Sequence, residues 1–198
     1  MKQTNKNHLK KLASLSLLLF LLFNVSAQVK YNKTANLDLT VSGTSTLHDW
    51  DMKSSQGSFE ATFVLNNTGA ISSISGLSFS TPSNALKSGH DAMDKNAYKA
   101  LKIDKTASIN YIATSATVTP LSTADFLVKS QGKLTIAGVT LDTEISATCK
   151  INSDKTISIM GSKKISMKEF GMAPPSFMMG TIKTGNDVTL KFDLKLVK

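Results

Sequence analysis

Apolar and polar residues alternate through the most regular stretch of the chain. Val139, Leu141, Ile145, Ala147, Cys149 and Ile151 fall on one parity, and Thr140, Asp142, Glu144, Ser146, Thr148 and Lys150 on the other. Successive side chains of a strand point to opposite faces, so a period of two describes a strand buried on one side and wet on the other. The C-terminal run repeats it, with Val188, Leu190, Phe192, Leu194 and Leu196 against Thr189, Lys191, Asp193 and Lys195. Leu37, Leu39 and Val41 mark an early strand, and Phe59, Ala61, Phe63 and Leu65 another. Further strands are expected over 71–80, 106–119, 125–137 and 156–168, punctuated by Gly57, Asn66-Asn67, Pro82, Pro120, Gly138 and Asn152-Ser153-Asp154. Many strands joined by short turns make an all-β sandwich or barrel.

One segment departs from that period. In SGHDAMDKNAYKALK, Met93, Ala97 and Leu101 recur every four residues, and Ser88 and Asp91 stand at capping-box spacing. These features predict a single helix over 89–101. A lone amphipathic helix among strands is suited to covering an open end of the sheet, where apolar side chains would otherwise meet water.

The first 27 residues have the form of an export leader. Lys2, Lys6, Lys10 and Lys11 precede the apolar run LASLSLLLFLLFNV, and Val25-Ser26-Ala27 has the small-residue pattern of a cleavage site. The apolar run is shorter than a membrane span needs. Cleavage after Ala27 is therefore expected to release residues 28–198 as one soluble domain in the periplasm or outside the cell. The only cysteine, Cys149, is far from the cleavage site, so no acyl anchor is expected there.

Loss of the four leader lysines lowers the formal charge from +9 to +5, and all 23 basic residues of the chain are lysine. Without arginine forks or a basic cluster interleaved with aromatics, a nucleic-acid partner is not expected. A single cysteine allows no internal disulfide, so stability must come from an apolar core. Cys149 lies on the apolar parity of its strand and reads as a buried, inert thiol rather than a nucleophile.

Catalytic motifs are absent: there is no nucleophile elbow, phosphate-binding glycine loop or zinc-binding helix. His48-Asp49 and His90-Asp91 could serve a metal or an acid/base pair if the fold brought them together. Adjacent strand residues point to opposite faces, which argues against each dipeptide acting as a unit. Helix capping already accounts for Asp91.

Five phrases, taken in order, resemble one family. They are TSTLHDW at 44–50, LKSGHDAMDKNAYKALKIDKTASINY at 86–111, GKLTIAGVTLDTEI at 132–145, ISMKEFGM at 165–172 and GTIKTGNDVTLKFDL at 180–194. Together they are similar to YceI-like proteins, the polyisoprenoid-binding group. The resemblance spans nearly all of residues 28–198. It implies an extended antiparallel lipocalin-like β-barrel of about eight strands with one short helix. It further implies an apolar tunnel holding a long amphiphile, such as an isoprenoid lipid or a quinone, without catalysis and without a cofactor.

Five of the eight methionines fall between 160 and 179. Thioethers suit Cu(I), but six residues separate Met172 from Met178, Met178 and Met179 are adjacent, and no nearby histidine supports a copper site. The remaining readings are core filling and an adaptable loop at a barrel mouth, stiffened by Pro174-Pro175. The expected tunnel wall comprises Phe170, Met172, Phe177, Met178 and Met179 with Trp50, Phe59, Phe63, Met93 and Leu101. Two rival functions remain at this point: a metal-dependent hydrolase using His48, Asp49, His90 and Asp91, and a secreted structural β-protein with a filled core.

Overall fold

A computed structural model describes residues 27–198, apart from the side chain of Met178. The expected leader lies outside the described residues except for Ala27, which opens the first strand. The elements in chain order are β1 (Ala27–Tyr31), β2 (Lys33–Ser45), β3 (Trp50–Ser54), β4 (Ser58–Leu65), β5 (Ile71–Pro82), α1 (Asp91–Leu101), β6 (Ser108–Pro120), β7 (Asp125–Ile136), β8 (Val139–Ile151), β9 (Ile157–Ser166), β10 (Ser176–Phe177) and β11 (Ile182–Val197).

All strand pairs are antiparallel, in the order β1-β4-β5-β6-β7-β8-β9-β11-β2-β3, with β10 pairing β11. Only Asn32 separates β1 from β2, and only residues 55–57 separate β3 from β4. The registers Leu39↔Ser54 and Ala27↔Leu65 follow one another along one edge of the first long strand, whose other edge pairs with β11. The two ends of the strand order therefore meet, and the sheet curls into an antiparallel barrel. Ten strands lie along this path, slightly more than the expected eight, because two of the barrel's long strands are interrupted, one at Asn32 and one at residues 55–57. Eight strands leave an interior that side chains can fill or that can hold one small ligand.

Strand parity sorts the side chains as the alternation predicts. On β11, Val188, Leu194 and Leu196 are buried while Lys191 and Asp193 are exposed. On β7, Phe126, Val128, Ser130, Gly132, Leu134 and Ile136 all face inward.

The helix forms, but its start differs from the expected one. It begins at Asp91, with His90 as N-cap and no side-chain capping bond. Asp94, not Asp91, is the partner of Ser88: its Oδ1 accepts from Ser88 N at 2.8 Å and from Ser88 Oγ at 2.7 Å. Burial explains the choice. Asp94 is 6% exposed and requires donors, whereas Asp91 is solvated. The helix ends at Lys102, which adopts a left-handed conformation with φ 54°.

Three carboxylates tie the β8–β9 turn, α1 and β11 to neighbouring elements. Hydrogen bonds from the Thr156 hydroxyl and backbone N–H, with Lys195 beside it, hold the Asp154 carboxyl down at about 2. Burial alone would raise Asp94, but the Ser88 bonds and Lys87 outweigh it and lower the pKa. Lys164 lowers Asp187 through a 2.7 Å contact. Groups depressed on folding contribute stability that is present above the unfolded carboxylate pKa of about 3.9 and lost as pH falls through the folded values. Thermal melts should accordingly show stability falling between about pH 4 and pH 2, and Asp154→Asn should blunt that fall.

Candidate ligand-binding cavity

Because inner faces carry apolar side chains and the strands close around them, the chain surrounds a cavity. Its volume is about 550 Å³, inside the roughly 300–1,000 Å³ range of small-molecule sites. Leu39, Val41, Met52, Val128, Leu190 and Phe192 form much of its wall. Phe63, Cys149, Ile159 and Leu194 reach it at its deepest level. Beneath them Tyr31, Phe126, Ile157 and Leu196 are no more than 3% exposed and do not line the cavity. Phe63 packs edge-on against Tyr31, with ring centroids 5.3 Å apart. The expected tunnel is thus a blind pocket, sealed at the end where β1 meets β4.

Few polar groups face this space, and they bond to one another. The Tyr111 hydroxyl donates toward Ser130 Oγ (2.9 Å) and lies near the carbonyls of Ser130 and Thr143, while Ser130 Oγ donates to Ile145 O at 3.2 Å. Thr81 Oγ1 donates to Gln56 O at 2.7 Å. Among the described residues no buried side-chain polar atom lacks a partner. The wall therefore presents no unmet hydrogen-bonding demand to a guest. Burial pushes the Cys149 thiol up to about 12, so it is not a thiolate at neutral pH.

The mouth lies at the helix end of the barrel. Leu47 and His48 reach it from the β2–β3 turn, His90, Met93 and Asn96 from α1, and Phe177 and Thr184 from β10 and β11. The β2–β3 turn is anchored to the neighbouring β11, because Thr46 N donates to Lys183 O at 3.0 Å and Lys183 N to Thr46 Oγ1 at 3.1 Å.

Of the expected wall residues, Trp50, Phe59, Phe63, Met93, Leu101, Met172 and Phe177 line the cavity. Two do not. Phe170 is buried in the turn after β9, where its N–H bonds to Met167 O at 3.2 Å. Met179 is fully exposed, in a left-handed conformation with φ 54° that ends the approach to β11. The side chain of Met178 lies outside the described residues. Leu39, Val41, Met52, Leu190 and Phe192 belong to the wall and were not singled out from sequence. Strand parity places all of these but Met52 on an inner face without revealing their depth.

His48 and His90 both border the mouth, whereas Asp49 and Asp91 do not. His48 Nδ1 is 2.6 Å from its neighbour's backbone oxygen, Asp49 O, rather than from a carboxylate. Among the described residues no group of three or more His, Cys, Asp or Glu could hold a metal ion. No helix among them is long and apolar enough to cross a membrane.

The YceI-like domain model matches residues 25–196. A search of curated proteins finds no match. Solved structures share the fold. BcnA of Burkholderia cenocepacia superposes with a TM-score of 0.63 at 12% identity, covering 81% of this chain and 96% of its own. A polyisoprenoid binding domain from Saccharophagus degradans, implicated in plant cell wall breakdown, gives 0.58 at 12% identity, with 86% and 98% covered. The YceI protein of Campylobacter jejuni gives 0.51 at 17% identity, with 72% and 85% covered.

Proposed function

The chain belongs to the YceI-like domain family, and from that membership we propose that it is a non-enzymatic carrier of a long apolar amphiphile, an isoprenoid lipid or a quinone. The observation that carries this reading is the blind apolar cavity of about 550 Å³, whose lining histidines, His48 and His90, both stand at the mouth. An apolar tail gains roughly 0.8 kcal/mol for each methylene it removes from water. A polar head loses free energy unless it keeps partners, and at the rim Ser45, His48, His90, Asn96 and Thr184 offer them. The ligand enters tail first and leaves its head at the mouth. The family resemblance of the Saccharophagus degradans domain, named for polyisoprenoid binding, supports the same ligand class.

The leader-like N-terminus supports export, so the carrier works in the periplasm or beyond the cell. Sharing a compartment with membrane lipids, it moves a molecule that is insoluble in the water between them.

The test uses the sole tryptophan, which lines the cavity. Farnesol and geranylgeraniol titrated into the delipidated protein should change Trp50 emission saturably, with a stoichiometry of one. No saturable change, together with no displacement of a bound apolar dye, defeats the reading. The rival hydrolase makes a different prediction: there, His48→Gln with His90→Gln would abolish a stoichiometric zinc content. Under the carrier reading, the wild type and this double variant should show equally negligible zinc by elemental analysis.

A further inference from the structure

Trp50 stands where wall and mouth meet, and directly across the ladder from it lies Gly43. Gly43 shares the inner parity of β2 with Leu39, Val41 and Ser45, which all line the cavity. A Cβ built at Gly43 would fall 2.2 Å from Trp50 Cζ2, 2.6 Å from Cε2 and 2.8 Å from Cη2. Ordinary carbon contacts lie near 3.5–4.0 Å. The indole therefore rests flat on bare backbone. Its Nε1–H donates to Thr44 O at 3.1 Å, which fixes the ring in that position.

Deeper in the barrel, Gly161 accommodates Phe192 and Gly132 accommodates Tyr111 in the same manner. A methyl there would also strike backbone, at 2.7 Å from Ser146 O and 2.4 Å from Ile112 O. Those two glycines serve the ladders as well as the rings. At Gly43 all three nearest atoms belong to the Trp50 side chain, so a methyl group displaces the ring and little else.

We propose that Gly43 and Trp50 set the bore of the cavity mouth and thereby admit a methyl-branched isoprenoid chain, which is broader than a linear alkyl chain. This inference rests on the carrier reading above. With the indole flat, the mouth keeps its full width. With a side chain at position 43, the ring must lift from the wall, narrowing the passage that a branched chain needs more than a straight one does.

The experiment compares wild type, Gly43→Ala, Trp50→Ala and the double variant, using geranylgeraniol and the linear alcohol hexadecanol as probes and far-UV circular dichroism for folding. Gly43→Ala should bind geranylgeraniol at least about tenfold more weakly, the equivalent of about 1.4 kcal/mol, and lose much less affinity for hexadecanol. Because the clash needs both side chains, the double variant should bind geranylgeraniol as Trp50→Ala alone does. Unchanged binding by Gly43→Ala overturns the proposal, as does an equal loss for both alcohols that removing the indole does not repair. Should Gly43→Ala unfold, a folded double variant supports the clash, and an unfolded one overturns it by making Gly43 purely structural. If the wild type binds neither alcohol, the carrier reading fails separately. The bore is then judged from a crystal structure of Gly43→Ala: an indole lifted into the lumen supports it, and an indole still against β2 overturns it.

Discussion

Phe63→Ala should be among the most damaging single substitutions in the chain. Phe63 has no exposed surface, stands at the floor of the cavity and packs edge-on against Tyr31. Its removal forfeits the burial of the ring and leaves a void that β4, tied to β1 and β5 along both edges, cannot collapse to fill. Large-to-small changes of this kind cost about 3–5 kcal/mol. At this chain length each kcal/mol lowers the melting temperature by roughly 2–4 °C. The void also adjoins the cavity, so it lengthens the pocket toward its sealed end. Relative affinity should shift toward longer isoprenoid alcohols even as stability falls. A melt and a chain-length series on the same preparation check both effects. A stability loss without any shift in chain-length preference would place Phe63 outside the ligand space.

The second large effect separates two methionines seven residues apart. Met172 is 7% exposed and lines the cavity, so Met172→Lys introduces an ammonium without a counter-charge into an apolar wall. An uncompensated buried charge costs roughly 3–5 kcal/mol, and the lysine stem can lessen this only by reaching into the lumen toward the mouth. In that posture it occupies the ligand's place, and binding of geranylgeraniol should weaken by at least about tenfold. Met172→Leu, which keeps volume and polarity, should cost less than about 1.5 kcal/mol. Met179→Lys should remain within about 0.5 kcal/mol of wild type and bind normally, because its side chain meets only solvent. Melts and titrations of the three variants check this. Equal effects at 172 and 179 would contradict the placement of the mouth.

That pair also shows what the order of residues reveals and what it hides. Alternation is a local property, so the inner faces of β8 and β11 and the all-β class are legible in the amino-acid sequence alone. Depth along the barrel is not local. Leu190 and Leu196 occupy the same face of one strand, yet Leu190 lines the cavity and Leu196 is sealed beneath its floor. The methionine cluster reads as one group in sequence, but the turn after β9 and the left-handed residue before β11 send its members in different directions. Burial decided the Ser88 partner in the same way. Asp91 has the right spacing, but only Asp94 is withdrawn from water. The contact between Gly43 and Trp50 depends on hairpin register, which neither residue reveals alone.

Whether the cavity holds a lipid-like amphiphile can be measured directly, by native mass spectrometry of the protein purified from its own host, followed by organic extraction. The carrier reading predicts a one-to-one complex whose added mass matches an isoprenoid or quinone in the extract, lost in Met172→Lys and retained in Met179→Lys. A protein that emerges at its bare mass, with nothing apolar in the extract and no uptake of added geranylgeraniol, would contradict it.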